Sequence, residues 1–233
     1  LDLGARHPDA AIKAAAQTRG DLLIPVVKAC STEAGIELAS LGVQIHGGMG
    51  FVEETGAAQP YRDVRITTIY EGTTAIQSND FIGRKLARDR GAAMGSLIAD
   101  MRSELATITP TGAADVTAAV IESKAATLEA IDALEFAVKS VLAASAQGPE
   151  RALAVSVPAL RLAGYVIGGW LLTKSAAIAA RKLGESGADV DFLRGKLASA
   201  RFYAGHILPQ AHALARVVSA GAASVLEVDA AVV

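Results

Sequence analysis

Aromatic side chains are scarce in this 233-residue chain, at 4%, and cysteine occurs once, as Cys30. A lone thiol cannot close an internal disulfide. No second cysteine or neighbouring His/Asp cluster supplies a metal-ligand spacing, so neither a disulfide framework nor a metal centre is expected. Such cysteine usage fits a reducing, cytoplasmic setting. Charge of one sign is also lacking: 22 Lys plus Arg against 24 Asp plus Glu leave a net charge of -2. That balance gives no electrostatic reason to bind nucleic acid or an anionic membrane. The first residues, Leu1 to His7, have neither the apolar core nor the cleavage pattern of a signal peptide and read as a chain cut from something longer. One long apolar run exists, Ala152 to Leu172, interrupted by Pro158 and Arg161. A charge near the middle of a bilayer span is costly, so a buried bundle helix is expected there and no membrane span.

What the chain has in quantity is alanine, within a hydrophobic share of 52%. Alanine is the strongest intrinsic helix former, and the length suffices for one or two helical domains. Apolar residues recur at three- and four-residue spacing from about Ala10 to Ile45, the mark of an amphipathic helix. Pro8 suits its opening, Pro25 predicts a kink or break, and Gly47, Gly48 and Gly50 stop it. Thr55 to Arg62, broken by Pro60, leads into the β-branched run Val64 to Tyr70, read as extended loop. A new helix is expected from Gly72-Thr73-Thr74, with Thr74 and Gln77 at capping-box spacing, to about Thr107. Turns at Thr109-Gly112, Gln147-Pro149 and Gly184-Gly187 separate three further helices, about Ala114 to Ala146, Glu150 to Leu183 and Asp189 to Gly221. Pro158 and Pro209 are candidate kinks. Long helices joined by short turns predict an all-α antiparallel bundle. The basic segment Arg84 to Arg90 marks a composition shift, dividing the chain into regions 1-90 and 91-233.

Two segments carry candidate chemistry. In Gln44-Ile45-His46-Gly47-Gly48-Met49-Gly50-Phe51 a helix end meets a glycine turn. Ordinary C-capping is its simpler reading, and close backbone approach to a ligand the other. In Ile69-Tyr70-Glu71-Gly72-Thr73-Thr74-Ala75-Ile76-Gln77 a carboxylate precedes a helix opened by hydroxyls. The helix end offers donors to a substrate carbonyl, beside which Glu71 could remove a proton; alone, a solvated, dipole-stabilising acid is the simpler reading of Glu71. Glu53-Glu54 is expected to be solvated, and His46 to cap or pack. His206 and His212 lack the i, i+4 spacing of a helical metal pair. Gly164 and Gly168 are expected to permit close helix packing.

Together the two segments resemble the acyl-CoA dehydrogenase family. The family's Q-x-x-G-G-x-G-[FY] turn, R-D pair and I-Y-E-G-T helix opening correspond to Gln44 to Phe51, Arg62-Asp63 and Ile69 to Thr73, within about Asp21 to Leu86. The wording from Leu41 to Gln59 resembles the subgroup that includes 3-methylmercaptopropionyl-CoA dehydrogenases, in which an extra helical region follows, here from about Gly95. The resemblance implies the carboxyl-terminal part of that fold and an FAD-dependent oxidation of an acyl-CoA thioester. Glu71 would be the catalytic base, and its amide would help to hold the thioester carbonyl. Gln44, Ile45, His46, Gly47 and Gly48 would contact FAD, commonly that of a neighbouring subunit. Thr73 and Thr74 would lie near FAD, and Gly72 would border the substrate. Ala75 stands where family members often have Gln, so one cofactor hydrogen bond would be absent or supplied elsewhere. Implied partners are an acyl-CoA substrate, electron-transfer flavoprotein or a similar acceptor, and further copies of the chain. Because the family's amino-terminal helical and β-rich middle domains are not in these residues, the isolated chain is expected to bind little FAD and to be inactive. The alternative from another class is a non-catalytic helical oligomerisation module.

Overall fold

The structure, a computed structural model, describes residues 1-228 and 231. It is 83% helical, with no strand among the described residues. The order is α1 Asp2-Arg6, α2 Ala10-Ile45, α3 Gly48-Phe51, α4 Ala58-Val64, α5 Thr74-Asp80, α6 Ala92-Thr107, α7 Ala114-Gln147 and α8 Pro149-Leu153. There follow α9 Ser156-Lys182, α10 Val190-Phe202, α11 Pro209-Ala220 and α12 Ala223-Leu226. Short 3-10 segments occupy Glu53-Thr55 and Arg65-Thr68, and π-helical turns Phe81-Ala87 and Tyr203-Ile207.

Several local expectations give way to packing. Pro25 neither breaks nor ends α2, which runs continuously through it. The missing donor is tolerated because Leu22, Pro25, Val26 and Ala29 are all buried on one side of the helix. Val64 to Tyr70 is not extended: α4 continues into a 3-10 turn. Pro60 falls in the first turn of α4, where its N-H is not needed, and the Thr67 hydroxyl donates to the Val64 carbonyl at 2.6 Å. Val64 itself abuts Gly35 of α2, so a tertiary contact outweighs the β-branched preference. The single helix expected from Gly72 to Thr107 is three pieces. A π-helical turn follows α5, and Arg90 and Gly91 at φ +55° and +80° reverse the chain before α6. The N-cap of α5 is Thr73, not Thr74. The helix expected from Glu150 to Leu183 divides at Ala154-Val155, and Pro158 lies in the first turn of α9. Ahead of Pro209 the chain widens into a π-turn, with the Leu208 amide donating to the Tyr203 carbonyl at 2.9 Å. The wider turn accommodates a residue that has no N-H to give.

The larger apolar core joins α2, α6, α7, α9 and α11, and draws on residues from both sides of residue 90. Leu22, Val26 and Ala29 of α2 belong to it together with Leu160 and Ala163 of α9 and Ile131 and Leu134 of α7. A second cluster, Val116, Val120, Ala176, Ala179, Leu193 and Leu197, ties the amino-terminal end of α7 to α9 and α10. Buried hydroxyls on α7 and α9 satisfy one another: Thr127 and Thr173 are 3.0 Å apart, and Thr173 donates to the Ser123 carbonyl at 3.2 Å. Of the described helices, α9 alone is long and apolar enough to cross a membrane, but half of that apolar window is buried in the bundle.

Gly164 and Gly168 of α9 have the packing role expected of them. A Cβ at Gly164 would overlap the Cys30 sulfur of α2, and one at Gly168 would come within 2.6 Å of the Tyr203 hydroxyl. That hydroxyl donates to the Tyr165 carbonyl at 3.1 Å, crossing from the π-turn to α9. Gly164→Ala should therefore destabilise the chain by about 1-3 kcal/mol through overpacking, despite the better helix propensity of alanine. Adding Cys30→Ala should recover most of that loss in a denaturant-unfolding cycle. An additive pair would show that the two sites do not touch.

Candidate active site

The glycine turn closes α2. His46 is the helix C-cap, its imidazole Nδ1 2.8 Å from the Gly42 carbonyl oxygen, and Gly47 takes φ +62°. Gln44, Ile45, His46, Gly47 and Gly48 are all exposed. A Cβ at Gly47 or Gly48 would meet nothing within 4 Å. The positive φ accounts for Gly47 by backbone geometry, but nothing in the chain itself requires the open space beside Gly48. An exposed backbone with open space on its side-chain side fits a ring or phosphate approaching closely. This turn is therefore compatible with the implied FAD contact.

The carboxylate turn lies before α5. Glu71 is held at φ +51° and Gly72 at φ +89°. Two consecutive left-handed residues, one of them not glycine, persist only where surrounding contacts enforce them. Those contacts come from two helices. Within α5 and its cap, the Thr73 hydroxyl accepts from the Ile76 amide at 3.2 Å, and the Gln77 side-chain amide lies 3.5 Å from the Glu71 carbonyl oxygen. From α2, the Lys28 ammonium donates to the Gly72 carbonyl at 2.5 Å. The Thr74 hydroxyl donates to the Glu33 carboxylate, also at 2.5 Å. The Glu71 side chain is exposed, and its carboxylate has no hydrogen-bond or ion-pair partner among the described residues. Its backbone is thus fixed while its proton-accepting group stays free.

Beside this turn a cleft of about 440 Å³ opens between α2, α4, α5 and α9, lined by Cys30, Glu33, Glu37, Tyr61, Thr74 and Arg161 among others. Burial pushes the Cys30 thiol up from 9.0 to about 11, a shift that the nearby Arg161 guanidinium opposes. The thiol is therefore protonated and a poor nucleophile at neutral pH.

The two sequence segments are not one compact site. From Lys28, where the carboxylate turn is tied, to Gln44 is roughly 24 Å of α2 at 1.5 Å per residue. No hydrogen bond or ion pair joins the two segments among the described residues. Gly72, Thr73 and Thr74 do surround Glu71. Glu53 pairs only with exposed Arg62 at 3.4 Å. His206 stacks on Phe202 with ring centroids 4.7 Å apart, and no group of three or more metal-ligating side chains occurs among the described residues. Lys28 and Glu33 were not singled out by the sequence, because their partners lie 44 and 41 residues away.

An all-helical bundle with a constrained carboxylate ahead of one helix and an open glycine turn after another defines the class. Residues 97-229 match the model described as acetyl-CoA dehydrogenase C-terminal like, and residues 8-87 match acyl-CoA dehydrogenase, C-terminal domain. The chain belongs to the acyl-CoA dehydrogenase family, of which it carries carboxyl-terminal helical sequence. It is 45% identical over 218 residues to 3-methylmercaptopropionyl-CoA dehydrogenase of Ruegeria pomeroyi, covering 91% of this chain and 35% of that protein. Similarity to the broad-specificity linear acyl-CoA dehydrogenase FadE5 of Mycobacterium tuberculosis is 31% identity over 90% of this chain and 34% of that one. An acyl-CoA dehydrogenase from Bacillus anthracis, solved complexed with FAD, shares the fold. Its TM-score is 0.56 at 18% identity, over 84% of this chain and 32% of the other. The chain thus spans about a third of the length of these relatives.

Two measurements check the site's geometry. Glu71→Gly should leave the chain as stable or stabilise it by up to about 1 kcal/mol, whereas Glu71→Val should destabilise it by about 1-2 kcal/mol, because a β-branched residue is poorly accommodated at this φ. Equal melting temperatures for the two variants would mean that the turn is not left-handed. At pH 8, iodoacetamide should modify Cys30 at least about tenfold more slowly than a free cysteine until denaturant is added. Rapid modification of the folded chain would contradict the raised pKa of this half-buried thiol.

Proposed function

We propose that this chain is the carboxyl-terminal part of an FAD-dependent acyl-CoA dehydrogenase in which Glu71 is the base. The observation that carries the reading is the Glu71-Gly72 turn, a carboxylate without a partner on a backbone held at φ +51° ahead of a helix start. In this proposal Glu71 removes the α-proton of an acyl-CoA thioester. Its backbone amide helps to hold the thioester carbonyl, where charge develops as the proton leaves. Gly72 borders the substrate. FAD supplies the acceptor for the hydride that leaves the β-carbon. Thr73 and Thr74 would lie near it, and Gln44, Ile45, His46, Gly47 and Gly48 would contact FAD at the separate glycine turn. Because some 24 Å of helix separates the turns, the proposal assigns the glycine turn to the cofactor of a second subunit.

Self-association belongs to the same proposal. Along α2 the exposed positions Ile24, Val27, Ser31, Ala34, Leu38, Leu41 and Ile45 alternate at three- and four-residue spacing without one charge, Ile45 being 84% exposed. An uncharged helical stripe of this period suits a helical partner. Electron-transfer flavoprotein or a similar acceptor would reoxidise the enzyme, and the single, unpaired thiol supports a cytoplasmic setting. The division into regions 1-90 and 91-233 belongs to the proposal too, with the second region as an added helical bundle. Isolated residues 1-233 would bind little flavin and turn over no substrate.

The test is anaerobic mixing of the full-length flavoprotein with short and sulfur-containing acyl-CoA substrates, followed by flavin absorbance. Bleaching should vanish in Glu71→Gln while FAD stays bound. Equal bleaching in both forms would place the base elsewhere. No bleaching with any substrate would favour a non-catalytic oligomerisation module.

A further inference from the structure

We infer that Lys28, with Glu33 one and a half turns further along α2, is a positioning residue that sets where the Glu71 carboxylate points; the inference rests on Glu71 being the base. Neither residue touches a reacting atom in this reading. Each acts through the turn, and their chemistry is complementary. Lys28 presents a cation to a carbonyl oxygen, that of Gly72, and Glu33 presents an anion to a hydroxyl, that of Thr74. Charge-assisted bonds of this kind are about twice as strong as neutral ones. Anchoring an acceptor on one side of Thr73 and a donor on the other fixes both the position and the rotation of the segment relative to α2.

The need for such anchors follows from the dihedral angles. Left to local preference, Glu71 would return to negative φ, because the left-handed region costs a non-glycine residue about 1 kcal/mol or more. Gly72 would follow freely, having no Cβ to resist. The tethers from within the α5 segment do not prevent this. The Gln77 amide is at the limit of hydrogen-bond distance from Glu71, and the Thr73 cap joins residues of the α5 segment to one another. Among the described residues, the α2 side chains alone hydrogen-bond the turn at Glu71 to Thr74 from outside its own segment. Since φ of Glu71 directs its Cα-Cβ bond, loss of the Lys28 contact redirects the carboxylate without removing it. The rigid part is α2 itself, whose opposite face is buried at Leu22, Val26 and Ala29.

The test compares Lys28→Met, Lys28→Gln and Lys28→Arg in two settings. In the 233-residue chain, losing a hydrogen bond to the Gly72 carbonyl should displace the Thr73 amide nitrogen resonance, with Lys28→Arg restoring it. In the complete flavoprotein, Lys28→Met should slow flavin reduction at saturating acyl-CoA by roughly 10- to 100-fold, the penalty of a misplaced catalytic group, with KM changed less than about threefold. Lys28→Arg should recover most of that rate, and Lys28→Gln, which keeps a neutral donor, should fall between them. Should Lys28→Met fail to fold, Lys28→Gln and Lys28→Arg carry the comparison. An unmoved Thr73 resonance, or a moved resonance with an unchanged reduction rate, overturns the inference. If Glu71→Gln reduces flavin normally, the assignment of the base has failed instead, and the resonance still reports whether Lys28 holds the turn.

Discussion

The close approach of α9 to α2 is the constraint on which the other features depend. It exists because Gly164 has no side chain where the Cys30 sulfur sits. With the helices that near, Val26 and Ala29 of α2 share a core with Leu160 and Ala163 of α9. One face of α2 is thereby fixed against the rear bundle, and its remaining surface becomes a rigid platform. The cleft beside Thr74 is a by-product of the same contact, with walls that come from both helices.

That platform performs three tasks along 36 residues. Its middle holds the carboxylate turn through Lys28 and Glu33, its end presents the glycine turn, and its outer stripe stays apolar and exposed. A helix can serve all three because its residues point in different directions at fixed intervals. The uninterrupted passage through Pro25 matters here: a break would have parted the first turns of the helix from the stretch that carries both motif turns. Burial on one side offsets the lost hydrogen bond.

The carboxylate turn shows where local and global preferences conflict. Glu71 adopts a conformation that its own residue type disfavours, next to a glycine that permits it. Strain of this kind is concentrated at functional positions, where the enclosing structure over-determines the backbone. Elsewhere in the described residues buried side-chain polar atoms are hydrogen-bonded, and the other non-glycine residue at positive φ is Arg90, in the turn before α6.

From the sequence by itself came the helical class, the turns at Thr109-Gly112, Gln147-Pro149 and Gly184-Gly187, the packing role of Gly164 and Gly168, and the family motifs around Gly47 and Glu71. These were legible because propensity, period and motif spacing are local properties. What only the tertiary structure decided was the helicity of Val64 to Thr68, the continuity through Pro25, and the breaks after Asp80 and at Ala154-Val155. It also decided the separation of the two motif turns and the grip of Lys28 and Glu33 on the second. Each of these turns on which residue, tens of positions away, packs or hydrogen-bonds against the segment. Val64 is helical because Gly35 leaves room for it, and Glu71 is left-handed in a turn that a distant lysine holds.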